Sequence, residues 1–336
     1  MNDLQIYNDE FLLGDLITLD AQQLTPDYYV LHYAEFLSQY VAKARPSGDT
    51  LKDYSIEIKN FISWCQSHKA QPLALQEQHC RIYLRYLAEK NYSSATINLK
   101  MAAVKTFYSI AVKLGLITKN PCAEIFAFSS FDSSDDNLKF LDDNQIKYVG
   151  EKILDEPDEF IRKRNLAIFM LMAVEGLRNI EVHRMNDEDI NFELNSIFIR
   201  GKGHNNVIYP CHDTIFAIKD YLKIRPALKK DGVLTPTFIS LSNFNRGQRI
   251  TRAGIRWAIN QILTLCNLKV KGHSCHMLRH SCATNLYQAT KDLRLVQETL
   301  RHRSPTMTAR YAHIYGKMNN RQTEKISPFS KQNDDD

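Results

Sequence analysis

Two arginines, two histidines, a lysine and a tyrosine give this chain the means to transfer a phosphoryl group without a metal. Four of the six fall in one stretch, which runs His276-Met-Leu-Arg279-His280, then Leu300-Arg-His302, then Tyr311. The others stand upstream, in Glu175-Gly-Leu-Arg178-Asn-Ile-Glu181 and in Gly201-Lys202-Gly203. A guanidinium stays charged and presents a planar fork of donors, so Arg178 and Arg279 suit the non-bridging oxygens of a phosphodiester. Those hydrogen bonds strengthen as charge builds in a five-coordinate transition state. His276 and His302 can donate hydrogen bonds or shuttle protons, and Lys202 can protonate a departing oxygen. Tyr311 has an ordinary phenol pKa of about 10, so nucleophilic attack needs nearby positive charge or a base.

Every one of these residues also has an ordinary role open to it. Tyr311 is one of 16 tyrosines, and Arg178 and Glu181 are spaced to pair across one helical turn. A histidine such as His280 or His302 is commonly structural, and a lysine in Gly-Lys-Gly commonly just turns the chain. The joint occurrence in this order carries the argument. A metal site is disfavoured even though Cys275 and Cys282 flank the His276 to His280 motif. Neither cysteine has a second one at ligand spacing, and Arg279 would set a cation beside the metal. The seven cysteines are odd in number and scattered without a CxxC pair, which points to reduced, mostly buried thiols.

The chain has 336 residues, enough for about two domains. No apolar run approaches the roughly 18 residues of a membrane span, and the start Met-Asn-Asp-Leu-Gln lacks a signal peptide's basic residues. A cytoplasmic protein with no membrane partner is expected. Its net charge of +5 is unevenly spread. Residues 40–125 hold 12 basic against 6 acidic side chains, residues 126–160 hold 3 against 10, and residues 161–316 hold 24 against 11. Two basic blocks joined by an acidic connector suit a protein that grips a polyanion from two sides, since each neutralised phosphate releases counterions.

The first 25 residues read as a tail. Thr25-Pro26-Asp27 then caps a helix, and Thr50-Leu-Lys-Asp53 resembles a capping box that opens a second. A third helix is expected from about Gln76 to Lys90, and a fourth from Ser94 until Gly115 stops it. Lys100, Lys105 and Lys113 lie off the apolar stripe of the fourth helix and are candidate DNA contacts, with a solvated face as the plainer alternative. The Ser- and Asp-rich segment 126–139 reads as a linker. Beyond it, helices are expected at 142–153, 160–175, 179–184, 214–224, 252–266, 277–289 and 293–300. A strand, turn and strand at 196–200, 201–203 and 207–210 would place Lys202 at the turn.

The segments Gly176-Leu-Arg178-Asn-Ile-Glu181, Gly201-Lys202-Gly203, His276-Met-Leu-Arg279-His280, Leu300-Arg-His302 and Thr308-Ala-Arg-Tyr311-Ala-His313 resemble the successive motifs of the tyrosine recombinase, or phage integrase, family. The resemblance implies a mainly α chain, with a helical core-binding (SAM-like) domain at 26–125 and an α+β catalytic domain with a small β-sheet at 140–316. A C-terminal tail would follow at 317–336. It implies that Arg178 and Arg279 hold the scissile phosphate, His276 and His302 complete its site, Lys202 is the general acid and Tyr311 the nucleophile. Glu181 would support the site from behind, and His280 would be structural. Tyr315, one helical turn on, is the rival nucleophile, but the spacing from His302 favours Tyr311. Two departures stand out. Met277 replaces the family's usual aspartate, and Arg301 replaces the usual glycine of Leu-Gly-His, where it would either contact phosphate or point to solvent.

The function implied is site-specific DNA recombination through a 3'-phosphotyrosine and a Holliday junction, on a double-stranded site, by a homotetramer. No cofactor or metal is required. The C-terminal tail offers Ile326 and Phe329 as apolar anchors on a neighbouring protomer. With its helical domain starting near residue 25, the chain leaves no room for an arm-binding domain and looks closest to the Xer-like and mobile-element recombinases. Two rivals are a type IB topoisomerase, which would relax DNA without site-specific products, and a non-catalytic DNA-binding protein, which would form no covalent adduct.

Overall fold

A computed structural model describes residues 24–41, 48–125, 139–201, 205–226, 234–243, 245–270, 274–302 and 304–319. The chain separates into two compact units, residues 1–134 and 135–336. The linker segment 126–138, Lys202 and the tail beyond Asn319, with Ile326 and Phe329, lie outside the described residues.

In the first unit, Thr25 caps helix α1 (Pro26–Tyr40), its hydroxyl accepting from the Tyr28 N–H at 3.1 Å. Helix α2 (Gly48–Ser67) begins two residues before Thr50, so the capping box expected there falls inside the helix. Helix α3 (Glu77–Glu89) and helix α4 (Ser94–Lys113) follow, and α4 is capped by the Ser93 hydroxyl. Burial on nearly every turn makes α4 the central rod, with Ile97, Met101, Val104, Phe107, Tyr108 and Ala111 in the core. Phe61 of α2 meets Tyr83, Phe107 and Tyr108 edge to face at 4.9, 6.3 and 5.8 Å between ring centres, an arrangement that aromatic quadrupoles favour. The buried phenols find backbone acceptors: Tyr29 donates to Phe107 O and Tyr108 to Pro72 O, each at 2.7 Å.

One expected DNA contact is corrected by this packing. Lys100 turns inward, pairs with Glu57 of α2 and lies over the Tyr92 ring, with 8% of its side chain exposed. Its charge answers a half-hidden carboxylate and does not face a groove. Lys105 is half-buried near the Ala123 carbonyl, whereas Lys113 is exposed and passes over Tyr40.

The second unit is built on helix α6 (Glu159–Ala173), whose Ala167, Ile168, Phe169, Leu171, Met172 and Ala173 are all buried. Around it pack α5 (Asp143–Leu154), α8 (His212–Ile224) and α10 (Cys275–Thr290), with α9 (Arg252–Leu265) beside α5 and α7 (Asn179–Arg184). The antiparallel sheet runs β1 (Ile190–Asn191), β2 (Ser196–Arg200), β3 (Asn205–Ile208) in that order. Ile197 and Ile199 face the core by strand alternation. Arg200 closes β2 against the buried Asp189 at 2.6 Å and pairs with Asn205 across the hairpin. Helices α11 (Leu293–Leu300) and α12 (Pro305–Asn319) pack on each other and on α10. Among the described residues no helix is long and apolar enough to cross a membrane.

Removing the Lys100 ammonium leaves Glu57 without its partner. Lys100→Ala should therefore cost the first unit roughly 2–3 kcal/mol, measured by urea unfolding through Trp64 fluorescence in a Trp257→Phe background. An unchanged midpoint would show the pair to be dispensable.

Candidate active site

Arg279 organises the site. It projects from the second turn of α10, is 5% exposed, and donates one Nη to the Gly176 carbonyl and the other to the Leu300 carbonyl. One guanidinium thereby ties the turn before Arg178 to the end of α11 before His302. Gly176 makes the approach possible. Its φ is +64°, and a Cβ there would lie 2.7 Å from Leu300 Cδ2 and 3.1 Å from Cys282 Sγ. Burial first, then the neighbouring Arg178, bring the Arg279 pKa down to about 10, which leaves it cationic at neutral pH.

Arg178 is the N-cap of α7 but has no acceptor for the first turn, so Glu181 does the capping in reverse. One carboxylate oxygen of Glu181 accepts the Arg178 backbone N–H at 2.8 Å, and the other accepts Arg178 Nη1 at 2.8 Å. The Arg178 side chain remains 35% exposed, with donors to spare. Glu181 is 4% exposed. Burial alone would raise its pKa, but Arg301 and Arg178 outweigh that and hold the carboxyl below its ordinary range.

Arg301 does not point to solvent, one of the two roles the sequence left open. Its guanidinium folds inward, donating to Glu181 at 3.0 Å and to the Thr299 carbonyl at 2.8 Å.

Tyr311 lies on α12, a helix whose bounds the sequence periodicity did not set, and is 1% exposed. Its hydroxyl is 3.0 Å from His280 Nδ1, and its ring stacks on His302 at 6.4 Å and 11°. Burial raises the phenol pKa, and the nearby Arg279 and Arg310 only partly offset this. The rival Tyr315 packs on Tyr287 and lies under Lys291, among different neighbours. His302 is fixed by Thr308, whose hydroxyl is 3.0 Å from Nδ1. Burial and the Arg279 charge push His302 down to about 4. His280 also falls to about 4, through burial and then Arg310. His276 is exposed on α10, its pKa lowered by the surrounding protein and by Arg279 and Arg178.

The fold therefore gathers Arg178 and Glu181 from the head of α7, His276 and Arg279 from α10, His302 from just past α11, and Tyr311 from α12. His280 joins them through its bond to the phenol, an association the sequence did not assign. Its signal was present, because His276, Arg279 and His280 at i, i+3 and i+4 share one helix face. A cleft of about 600 Å³ opens beside the cluster, lined among others by Asn206 and Tyr209 near the hairpin and by Gln297, Arg301 and His302. The flanking thiols are internal: Cys282 donates to Val174 O at 3.0 Å, and Cys275 accepts from Asn179 at 3.7 Å.

Residues 139–318 match the phage integrase family, and residues 34–115 match its N-terminal SAM-like domain. The chain belongs to the phage integrase family. It is 29% identical to the tyrosine recombinase XerC of Pediococcus pentosaceus, over 82% of this chain and 91% of that protein. It is 30% identical to the XerC of Listeria innocua, over 70% and 76% respectively. Among solved structures, its fold is similar to a XerH site-specific recombinase in a post-cleavage complex with difH DNA. The TM-score there is 0.68 at 22% identity, covering 95% of this chain and 93% of the other. The Tn1549 transposon integrase bound to transposon right-end DNA gives 0.67 at 18%, covering 86% and 94%.

The two desolvated histidines make a prediction about pH. Unfolded, both titrate near 6.5; folded, they titrate near about 4. Between those values the unfolded chain binds more protons, so stability is present above about 6.5 and is lost as the pH falls toward about 4. Glu181, held low, adds loss in the same direction at the acid end. Urea midpoints followed by circular dichroism should fall across this window, and His280→Phe should flatten the slope. A midpoint independent of pH would contradict neutral, buried imidazoles.

Proposed function

We propose that this chain is a site-specific DNA recombinase that cleaves with Tyr311. The observation that carries this reading is the convergence of Tyr311, Arg178 and Arg279 on one cluster, although 133 residues separate the first arginine from the tyrosine. Arg178 and Arg279 hold the non-bridging oxygens of one backbone phosphate, with hydrogen bonds from His276 and His302. The Tyr311 oxygen attacks phosphorus and the bond to the 5'-oxygen breaks, leaving a 3'-phosphotyrosine and a free 5'-hydroxyl. Lys202 gives the leaving oxygen its proton. His280 is a neutral imidazole at neutral pH with Nδ1 3.0 Å from the phenol oxygen, and in the tautomer that carries its proton on Nε2 it accepts the proton that Tyr311 loses.

A 5'-hydroxyl from a partner strand then attacks the phosphotyrosine and releases the enzyme. Bond energy is kept in the covalent link, so no nucleotide is hydrolysed. Two such exchanges through a Holliday junction employ four protomers, and we infer a homotetramer on duplex DNA in the cytoplasm. The core-binding domain at 26–125 supplies the second grip, with Lys105 and Lys113 as its remaining candidate contacts. The C-terminal tail at 317–336 links neighbouring protomers.

Tyr311→Phe should abolish covalent complex formation on a nicked suicide substrate while leaving duplex affinity within about 3-fold, because one hydroxyl is lost and the cationic surface is kept. A surviving adduct would move the nucleophile elsewhere. Relaxation of supercoiled DNA without site-specific products would instead favour a topoisomerase. Truncation after Lys317 should remove cooperative binding, read by gel shift; unchanged cooperativity would eliminate the tail from assembly.

A further inference from the structure

Arg301 is the cation this site carries where its family usually places a glycine. The backbone there still has a glycine's conformation, with φ at +56°, and its N–H closes α11. A side chain in this region is disfavoured, so the arginine is kept against a local conformational preference. Its side chain is 8% exposed, and Nε is buried without a hydrogen-bond partner among the described residues. Its two Nη groups donate to the Thr299 carbonyl and to Glu181, and Glu181 is the charge it answers.

Glu181 takes three donors: the Arg178 N–H, Arg178 Nη1 and Arg301 Nη2. The charged groups facing it are Arg178 at the head of α7, Arg301 at the end of α11 and Arg279 on α10. A buried carboxylate with Arg178 as its sole ion-pair partner would compete with an incoming phosphate for that guanidinium. A second cation satisfies the carboxylate from the other side and leaves Arg178 donors available. We propose that Arg301 is a positioning residue: it holds Glu181 in place, and through Glu181 it fixes Arg178 where the scissile phosphate must bind. This rests on the recombinase reading given above.

The test uses the full chain and four variants: Arg301→Gly, Arg301→Lys, Glu181→Gln and the Glu181→Gln, Arg301→Gly double. Arg301→Gly suits the left-handed backbone and should fold, which thermal unfolding checks. On the suicide substrate it should slow cleavage about 10- to 100-fold, as expected for coupled neighbours, with duplex affinity changed much less. The acid limb of its pH–rate profile should move upward, and Arg301→Lys should recover part of the rate. The double variant should cleave no more slowly than Glu181→Gln alone, since a neutral amide needs no second cation.

A wild-type rate and profile in Arg301→Gly, or additive losses in the double variant, would overturn the proposal. A second readout does not depend on cleavage. The Glu181 carboxyl, followed by ¹³C NMR, should titrate higher in Arg301→Gly, and the Arg178 guanidinium signal should broaden. If both stay unchanged, the proposal fails. If both change but even the wild type forms no adduct, the recombinase reading fails and the linkage of Arg301 to Arg178 stands.

Discussion

The second unit depends on a buried guanidinium that binds two backbone carbonyls. Arg279 reaches Gly176 on one side and Leu300 on the other, and each carbonyl precedes a candidate phosphate ligand by two residues. The Leu300 carbonyl lies at the C-terminal end of a helix, where a cation is electrostatically favoured. Two peptide carbonyls gain a charged donor, and that charge is itself part of the candidate site. The bare backbone at Gly176 allows this approach, because a side chain there would run into Leu300 and Cys282.

Charge then dictates what the cluster can receive. Arg178, Arg279 and Arg301 carry three positive charges against one from Glu181, and burial keeps His280 and His302 neutral at physiological pH. The excess of two cations lies close together in a partly dry environment, where mutual repulsion is strong. The lowered pKa of Arg279 comes first from burial and then from that repulsion. An anion with two adjacent oxygens relieves it, and the phosphate of a DNA strand has that form.

Much of this was legible in the sequence, for identifiable reasons. Apolar spacing placed α3, α4, α7 and α11 to within a residue or two, because their faces are amphipathic and their ends carry Ser, Asp, Gly or Arg signals. Helix α12 was harder to bound. Its Thr306-Met-Thr-Ala-Arg-Tyr311 run has little apolar period, and Tyr311 and Thr308 are buried by packing on neighbouring helices, not by a stripe of their own. Lys100 lay off the apolar face and still turned inward, because Glu57, 43 residues away, supplied a partner that no local pattern reveals. Arg301 failed the same way: its partner is 120 residues distant in the chain.

The burial of Tyr311 has a kinetic consequence. Tyr311 as a residue is 1% exposed and its hydroxyl lies 3.0 Å from His280 Nδ1, so a phosphodiester outside the protein would meet it only after α12 or its surroundings shift. Under the function proposed above, the cleavage rate would be the intrinsic rate multiplied by the fraction of molecules in which the phenol has been released. A lone protomer that meets DNA at random spends little time in that fraction, so a stray encounter seldom nicks the strand. Under the function proposed above, contacts made only in a DNA-bound tetramer would raise that fraction, and the timing of chemistry would pass from the phenol to the assembly.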